Sequence, residues 1–420
     1  MVRDIHPGSG GSSPSELTSV AQTLYFGAPF GRDLWKSDGT AAGTARVKKI
    51  NPSGPSFPQL LTAFGSRVLF TADDGVHGRE LWISDGTAAG TRLVRDINPG
   101  PASGVTTGPT FEFAFIGTTA YFGADDGLHG FELWRSDGSE TGTTLVRDIN
   151  PGSGGTQPSA VGVIGDILLF STSYPAVESG LWRTDGTETG TTSLGAARPS
   201  GTRGRVIDGV AYFEAFDKFS GSAGLWRSDG TDAGTFQLKE LDNLSAFEDV
   251  RGTLFFIGAD QIHGFELWKS NGTPEGTVMV KDINPGPAGA YGSVVPPGGV
   301  AVRGGKYFFA PYDGVHPNAL WKSDGTEAGT VLVKEIAPGN RAANISQFTV
   351  VATTLYFTAD DGVHGNELWR STGSASGTSL VADLNPAGNA SPAWLTRVGS
   401  SLFFTADDGV HGRELWRLSA

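Results

Sequence analysis

The sequence predicts an all-β protein: a β-propeller of nine four-stranded blades, closed by an N-terminal strand that completes the last blade. Three observations carry that prediction. A Leu-Trp pair recurs nine times, at Trp35, Trp82, Trp134, Trp182, Trp226, Trp268, Trp321, Trp369 and Trp416, at intervals of 42 to 53 residues. A steady period of this size marks a repeat architecture. Each repeat divides into four short apolar runs separated by Gly, Asp-Gly or Asn-Pro turns. The chain ends are complementary: Val2-Arg3-Asp4-Ile5-His6-Pro7-Gly8 matches the close of an internal repeat, and the last repeat stops one strand short, at Glu414-Leu415-Trp416-Arg417.

The second repeat shows why each run reads as a strand. Gln59 to Phe64 leads through Gly65-Ser66 into Val68-Leu69-Phe70-Thr71-Ala72, and Asp73-Asp74-Gly75-Val76-His77-Gly78 turns into Glu80-Leu81-Trp82-Ile83-Ser84. Asp85-Gly86-Thr87-Ala88-Ala89-Gly90-Thr91 then turns into Arg92 to Ile97, and Asn98-Pro99-Gly100 ends the unit. Short runs rich in β-branched, aromatic and leucine residues, bounded by Gly, Asp and Asn, are strand and hairpin signals. None is long enough, with a 3.6-residue period, to argue for a helix. Four antiparallel strands at this repeat length compose a propeller blade. A lone blade leaves both faces uncovered, so blades stack. Adjacent strand residues point to opposite faces, which sets Leu81 against one neighbouring blade and Trp82 against the other. A solenoid normally uses a shorter rung and a parallel sheet, which does not suit these hairpins. One ring accounts for residues 1–420 as a single domain.

The repeat resembles that of the bacterial ELWxxDGT-repeat proteins, over essentially the whole chain. Glu132-Leu133-Trp134-Arg135-Ser136-Asp137-Gly138 and Glu266-Leu267-Trp268-Lys269-Ser270-Asn271-Gly272 carry the motif, with a Gly-Thr pair beginning four residues beyond the glycine. Asn271 and Thr372 replace the motif Asp, and Gly180 and Gly224 the motif Glu. The resemblance implies a propeller-like extracellular protein and carries over no activity residue by residue.

Composition narrows the partners. Lys+Arg at 31 against Asp+Glu at 44 gives a net charge of −13, which argues against nucleic acid and anionic membrane surfaces. No apolar run is long enough for a transmembrane helix, so no membrane insertion is expected. With no cysteine, disulfides, thiol catalysis and thiolate metal sites are excluded. Met1 leads straight into a strand, without a signal peptide. A start inside a repeat, low lysine and the family resemblance lead to the expectation of a trimmed exported protein, extracellular or at the cell surface, and monomeric.

The copies drift. Repeats two, three, eight and nine carry Ala-Asp-Asp-Gly-x-His-Gly before the tryptophan strand; repeat one reads Ala28-Pro29-Phe30-Gly31-Arg32 there, and repeats four and five replace the turn altogether. A single functional site is expected where the copies differ. The candidate ligand-binding residues are therefore Tyr174, Glu178, Glu214, Phe216, Asp217 and Lys218, on the same face as the Asn-Pro-Gly loops.

The repeated turns offer other chemistry. Asp73, Asp74, Asp125, Asp126, Asp360, Asp361, Asp407 and Asp408 are oxygen ligands suited to calcium, although Asp-Gly is also what a tight hairpin asks for. No cofactor is required. His77, His129, His263, His316, His364 and His411 share one position, and sixfold repetition argues for a turn contact rather than a catalytic base. The Ser-Asp-Gly-Thr turns are expected to bond back to their own amides. No catalytic residue is assigned. The functional expectation is a non-catalytic extracellular binding or scaffolding propeller with a protein or glycan ligand. The alternatives are a glycan-binding lectin, calcium-assisted, and a polysaccharide-active enzyme.

Overall fold

The computed structural model describes the chain except residues 106–111, 174–178, 201–203, 293–294, 296–297 and 420. It is all-β, with nine antiparallel blades in a propeller arrangement and no helix among the described residues. Blade two runs Gln59–Phe64, Arg67–Asp73, Arg79–Ser84 and Arg92–Arg95, paired in that order. In blade five the first strand is split into Ala197–Pro199 and Arg205–Ile207, both paired to Val210–Asp217. Blade nine supplies Ala393–Val398, Ser401–Asp407 and Arg413–Ser419.

The N-terminus occupies the fourth position of blade nine. The Val2 amide donates to the Leu415 carbonyl at 2.8 Å, and Arg3 bridges Leu415. The pairing is shorter than the expected run over Val2 to Ile5, because the Ile5 and His6 amides turn to the Glu414 carboxylate instead, at 3.3 and 3.4 Å.

Two compact units are distinguished. One contains Pro14–Ser222 and Trp226–Gln237; the other contains Met1–Ser13, Ala223–Leu225 and Leu238–Ala420. In the first, Trp82 packs with Val20, Tyr25 and Leu34 of blade one. Leu81 and Ile83 pack with Phe113, Phe122 and Trp134 of blade three. In the second unit, Trp369 packs among Phe308, Leu320 and Val333 of blade seven, and Leu368 among Leu402 and Phe404 of blade nine. Within each unit the alternation of strand side chains thus carries one apolar face of blade two, and of blade eight, to each of its neighbours. Seven of the Leu-Trp tryptophans are buried, and Trp35 and Trp416 are half-buried. Trp394 is 44% exposed.

Trp394 differs because it sits on a first strand, at a bulge. Glu16, Leu60, Ala246, Gln347 and Trp394 all have φ between 56° and 58°, an uncommon conformation for non-glycine residues. Two of these bulges are tied to the next blade: the Glu16 carboxylate accepts from the Leu60 amide at 2.9 Å, and the Gln347 side-chain oxygen from the Trp394 amide at 3.2 Å.

Lysine and arginine side chains join blades at the opposite end. The residue after the tryptophan donates to the motif glycine carbonyl of the next blade, as with Arg135 to Gly186 (2.9 Å), Lys269 to Gly325 (2.8 Å) and Lys322 to Gly373 (2.8 Å). Outer-strand cations reach the motif threonine carbonyl, as with Lys48 to Thr91 (2.7 Å) and Lys334 to Thr378 (2.9 Å). These charge-assisted bonds satisfy turn carbonyls that the sheets leave unpaired.

Candidate functional site

The two ends of a blade carry different turns. At the third-to-fourth strand turn of blade two, Asp85 Oδ1 accepts from the Thr87 amide (2.8 Å) and hydroxyl (2.7 Å). Thr87 Oγ1 accepts from the Gly90 amide (2.9 Å), and Ser84 Oγ meets Thr91 Oγ1 at 2.7 Å. A Cβ at Gly90 would run into the Asp85 carboxylate, which explains the glycine of the Gly-Thr pair. Asn271 keeps the pattern through its Oδ1, 3.1 Å from the Thr273 amide. The side chains of Ser84, Asp85, Thr87 and Thr91 are spent inside the turn and the motif carbonyls go to cations of the preceding blade, so the most visible part of the sequence repeat is architectural.

The second-to-third strand turn is built differently. Asp73 Oδ1 accepts from the Gly75 amide at 2.7 Å. Asp74 Oδ1 accepts from the Val76 and His77 amides, both at 2.9 Å, and Asp74 Oδ2 meets His77 Nδ1 at 2.8 Å. Blades three, six, seven, eight and nine repeat the Asp–His contact at 2.7 to 2.8 Å. The imidazole therefore bonds a side chain of its own turn rather than backbone or a neighbouring blade. Burial opposes ionisation of Asp74, but the His77 amide and imidazole and the Val76 amide outweigh it and hold the carboxyl below its usual range. The hydrogen bond to Asp74 raises the His77 pKa in return. The same balance takes Asp408 down to about 2.

Long-range contacts then fix this turn. Gly78 has φ of +68°, and a Cβ there would lie 2.7 Å from the Ala102 carbonyl group, so the turn lies directly on the loop leading to blade three. Glu80 is fully buried, and its Oε1 accepts from the Asn98 (3.2 Å) and Gly104 (2.8 Å) amides of that loop. Glu132, Glu266, Glu367 and Glu414 do the same for their own loops. Burial drives the Glu80, Glu132 and Glu266 carboxyls up to about 7, against the pull of the loop amides and with help from Asp96, Asp148 and Asp282. The motif glutamate is thus a latch on the connecting loop.

Each described tip leaves one large apolar side chain in water. Val76, Leu128, Ile262, Val315, Val363 and Val410, which follow the turn glycine or its equivalent, are 63 to 81% exposed. Blade five keeps the same turn in other residues: Asp217 Oδ1 accepts from the Phe219 (2.9 Å) and Ser220 (2.7 Å) amides, which places Phe219, 89% exposed, at that position. Phe30 of blade one is 50% exposed. Sequence reading passed over this residue as a variable one. Its recurrence as a large aliphatic or aromatic side chain was the available signal.

The sequence-predicted ligand residues fare unequally. Tyr174 and Glu178 lie outside the described residues. Glu214 is buried and accepts from Ser200 Oγ at 2.7 Å. Asp217 serves the turn. Lys218 lies against Gly180, and Phe216 is exposed, with the Arg198 guanidinium 5.8 Å from its ring centre. Phe216, Asp217 and Lys218 therefore share one strand end, with Glu214 tucked beneath it. As for calcium, the oxygens of Asp74, Asp126, Asp361 and Asp408 are committed to turn amides and imidazoles. Asp73, Asp125, Asp360 and Asp407 each hold a glycine amide at 2.7 to 2.8 Å. No group of three or more potential metal ligands occurs among the described residues.

No family model matches the chain, and no curated protein matches it. Among solved structures it is similar to a puromycin hydrolase, with 14% identity over 73% of this chain and 51% of that one and a TM-score of 0.40. It is similar to a puromycin-hydrolysing peptidase of Mycobacterium tuberculosis, with 12% identity, 83% and 57% coverage and a TM-score of 0.42. A study of two prolyl endopeptidases supplies another, at 10% identity, 83% and 54% coverage and a TM-score of 0.43. The chain spans little more than half the length of these structures. They are peptidases and hydrolases, so the expectation of a non-catalytic extracellular binding or scaffolding propeller, with a lectin or polysaccharide-active enzyme as alternative, is corrected and not carried further.

Proposed function

We propose that the chain is the peptide-engaging propeller of a peptidase-type protein, and that the turn face of blades six to nine receives polypeptide. The peptide-engaging part of the reading rests on the chain's own turn face. A single exposed apolar residue is ordinary. Here Ile262, Val315, Val363 and Val410, in four successive blades, are each held in water at 65 to 81% exposure by an Asp–His-locked turn. Separate apolar contacts alternating with carboxylates and imidazoles suit an extended chain that presents apolar side chains at intervals and basic ones between. The net charge of −13 favours basic segments.

Fluorescence anisotropy with labelled, unfolded peptides of mixed apolar and basic composition tests this. Val363→Asp with Val410→Asp is expected to weaken binding by about tenfold or more, the loss of roughly 1.4 kcal/mol. Mass spectrometry of the same mixtures reads out any cleavage. Affinity that is equal in wild type and double variant, or absent for every peptide, overturns the reading.

A further inference from the structure

The buried glutamates come with partners. In each of the five latched blades an aspartate follows the outer strand or sits in its N-terminal stand-in: Asp96 with Glu80, Asp148 with Glu132, Asp282 with Glu266, Asp383 with Glu367, and Asp4 with Glu414. Among the described residues, Oδ1 of all five aspartates is buried and without a hydrogen-bond partner. The strand register of blades one and seven places Lys49 and Glu335 at the aspartate position, where Asp33 and Ala319 stand in for the glutamate. By sequence position blades four and five pair Gly180 with Ala196 and Gly224 with Glu240. The two positions therefore change together within one chain, as members of a physical couple do.

We propose that the five Glu–Asp couples are proton-operated latches, each holding its connecting loop while the glutamate is protonated and releasing it when the glutamate ionises. A neutral glutamic acid keeps both loop amides of Glu80 on one carbonyl oxygen, and at Glu266, Glu367 and Glu414, where each oxygen takes an amide, it keeps one of the two. An ionised one is buried beside a second carboxylate with an unpaired oxygen, and its free energy falls when water enters. Water enters by displacing the loop, and the Asp-Asp-Gly-x-His-Gly turn rests on that loop. The charged groups facing each glutamate are few. Asp96 and His77, the latter paired with Asp74, act around Glu80; Asp148 and His129 around Glu132; Asp282, His263 and the buried Tyr291 phenol around Glu266. Asp383 and His364 act around Glu367, and Asp4 and His411 around Glu414. Each imidazole is neutralised by its own aspartate, so the second carboxylate dominates. The latch holds whatever the turn face binds.

Amide hydrogen exchange of the whole chain, corrected for intrinsic rates, tests it between pH 5 and 8. Opening that releases one proton should become up to about tenfold more frequent per pH unit until the folded-state pKa is passed, then level off. This is expected for residues 97–105 and 282–290, and not for 192–200, where Gly180 replaces the glutamate. Glu80→Gln keeps an acceptor oxygen without the charge and should remove the pH dependence at 97–105 alone. If that variant fails to fold, Asp96→Asn serves in its place: without the neighbouring charge the Glu80 carboxyl ionises more readily, so the levelling-off should move to lower pH. Equal pH dependence in the glutamate-free loop overturns the proposal, as does a pH dependence unchanged by either variant.

Discussion

The Ser-Asp-Gly-Thr turn and the Asp-Asp-Gly-x-His-Gly turn are both tight, both glycine-dependent and both repeated, yet they stand in opposite relations to their surroundings. The first closes its side-chain hydrogen bonds within eight residues, Ser84 to Thr91. The second is pinned by groups 18 to 24 residues away, through Glu80 and Ser103, and it leaves an apolar tip in water. A turn that satisfies itself is free to be identical in every blade. A turn that depends on a loop inherits the loop's variation and its sensitivity to solvent, and it is the end of the blade where recognition is to be sought.

Substitutions can break that contrast, and the largest effect belongs to the pinned turn. Gly78→Ala places a Cβ against the Ala102 backbone at positive φ, and urea denaturation is expected to show a loss of about 2–4 kcal/mol. At Gly90 the obstructing group is the end of a side chain, Asp85, which can move, so Gly90→Ala should cost roughly half as much.

The next effect is pH. Glu80, Glu132 and Glu266 have carboxyls raised from 4.5 to about 7. Their folded-state values lie above the unfolded ones, so the stability they contribute is complete below about pH 4.5 and lost as pH rises through about 7. Solvent screening reduces each contribution to on the order of 2 kcal/mol. Asp74, Asp126 and Asp361, held low, act in the other direction and lose their contribution as pH falls below the usual aspartate range. Thermal melts should therefore peak near pH 5 and decline towards pH 8, and a maximum at pH 8 would contradict the assignment.

A smaller effect is expected at the self-satisfied turn. Asp85→Ala removes the acceptor for Thr87 at an exposed site, so about 1 kcal/mol should be lost. Val363→Ser, at the tip, should change stability by less than about 0.5 kcal/mol. A larger loss there would mean that the tip packs against the protein and is not presented to a partner.

Much of the fold was legible because its signals are local. The Leu-Trp spacing, the alternation that sends Leu81 and Trp82 to different blades, and the Asp-Gly turns all act within a few residues, and the strand count followed from them. The candidate site was less legible, because its determinants lie far apart in the chain. Nothing near Glu80 in sequence marks it as the acceptor for Gly104. Blade five looked as though it had lost its turn, since Asp217-Lys218-Phe219-Ser220 has neither the glycine nor the histidine. The Asx geometry survives because it needs only the Asp217 carboxylate and two following amides. Glu214, read as a surface ligand, is buried because it lies inside the strand two residues before Phe216.

The most direct test of the turn face is a footprint. Hydrogen exchange of the chain with and without a saturating unfolded peptide should show added protection at 260–264, 313–317, 361–365 and 408–412, and none at the Ser-Asp-Gly-Thr turns 270–277 and 323–330. Protection confined to the latter turns, or spread equally over both ends of the blades, would contradict the account.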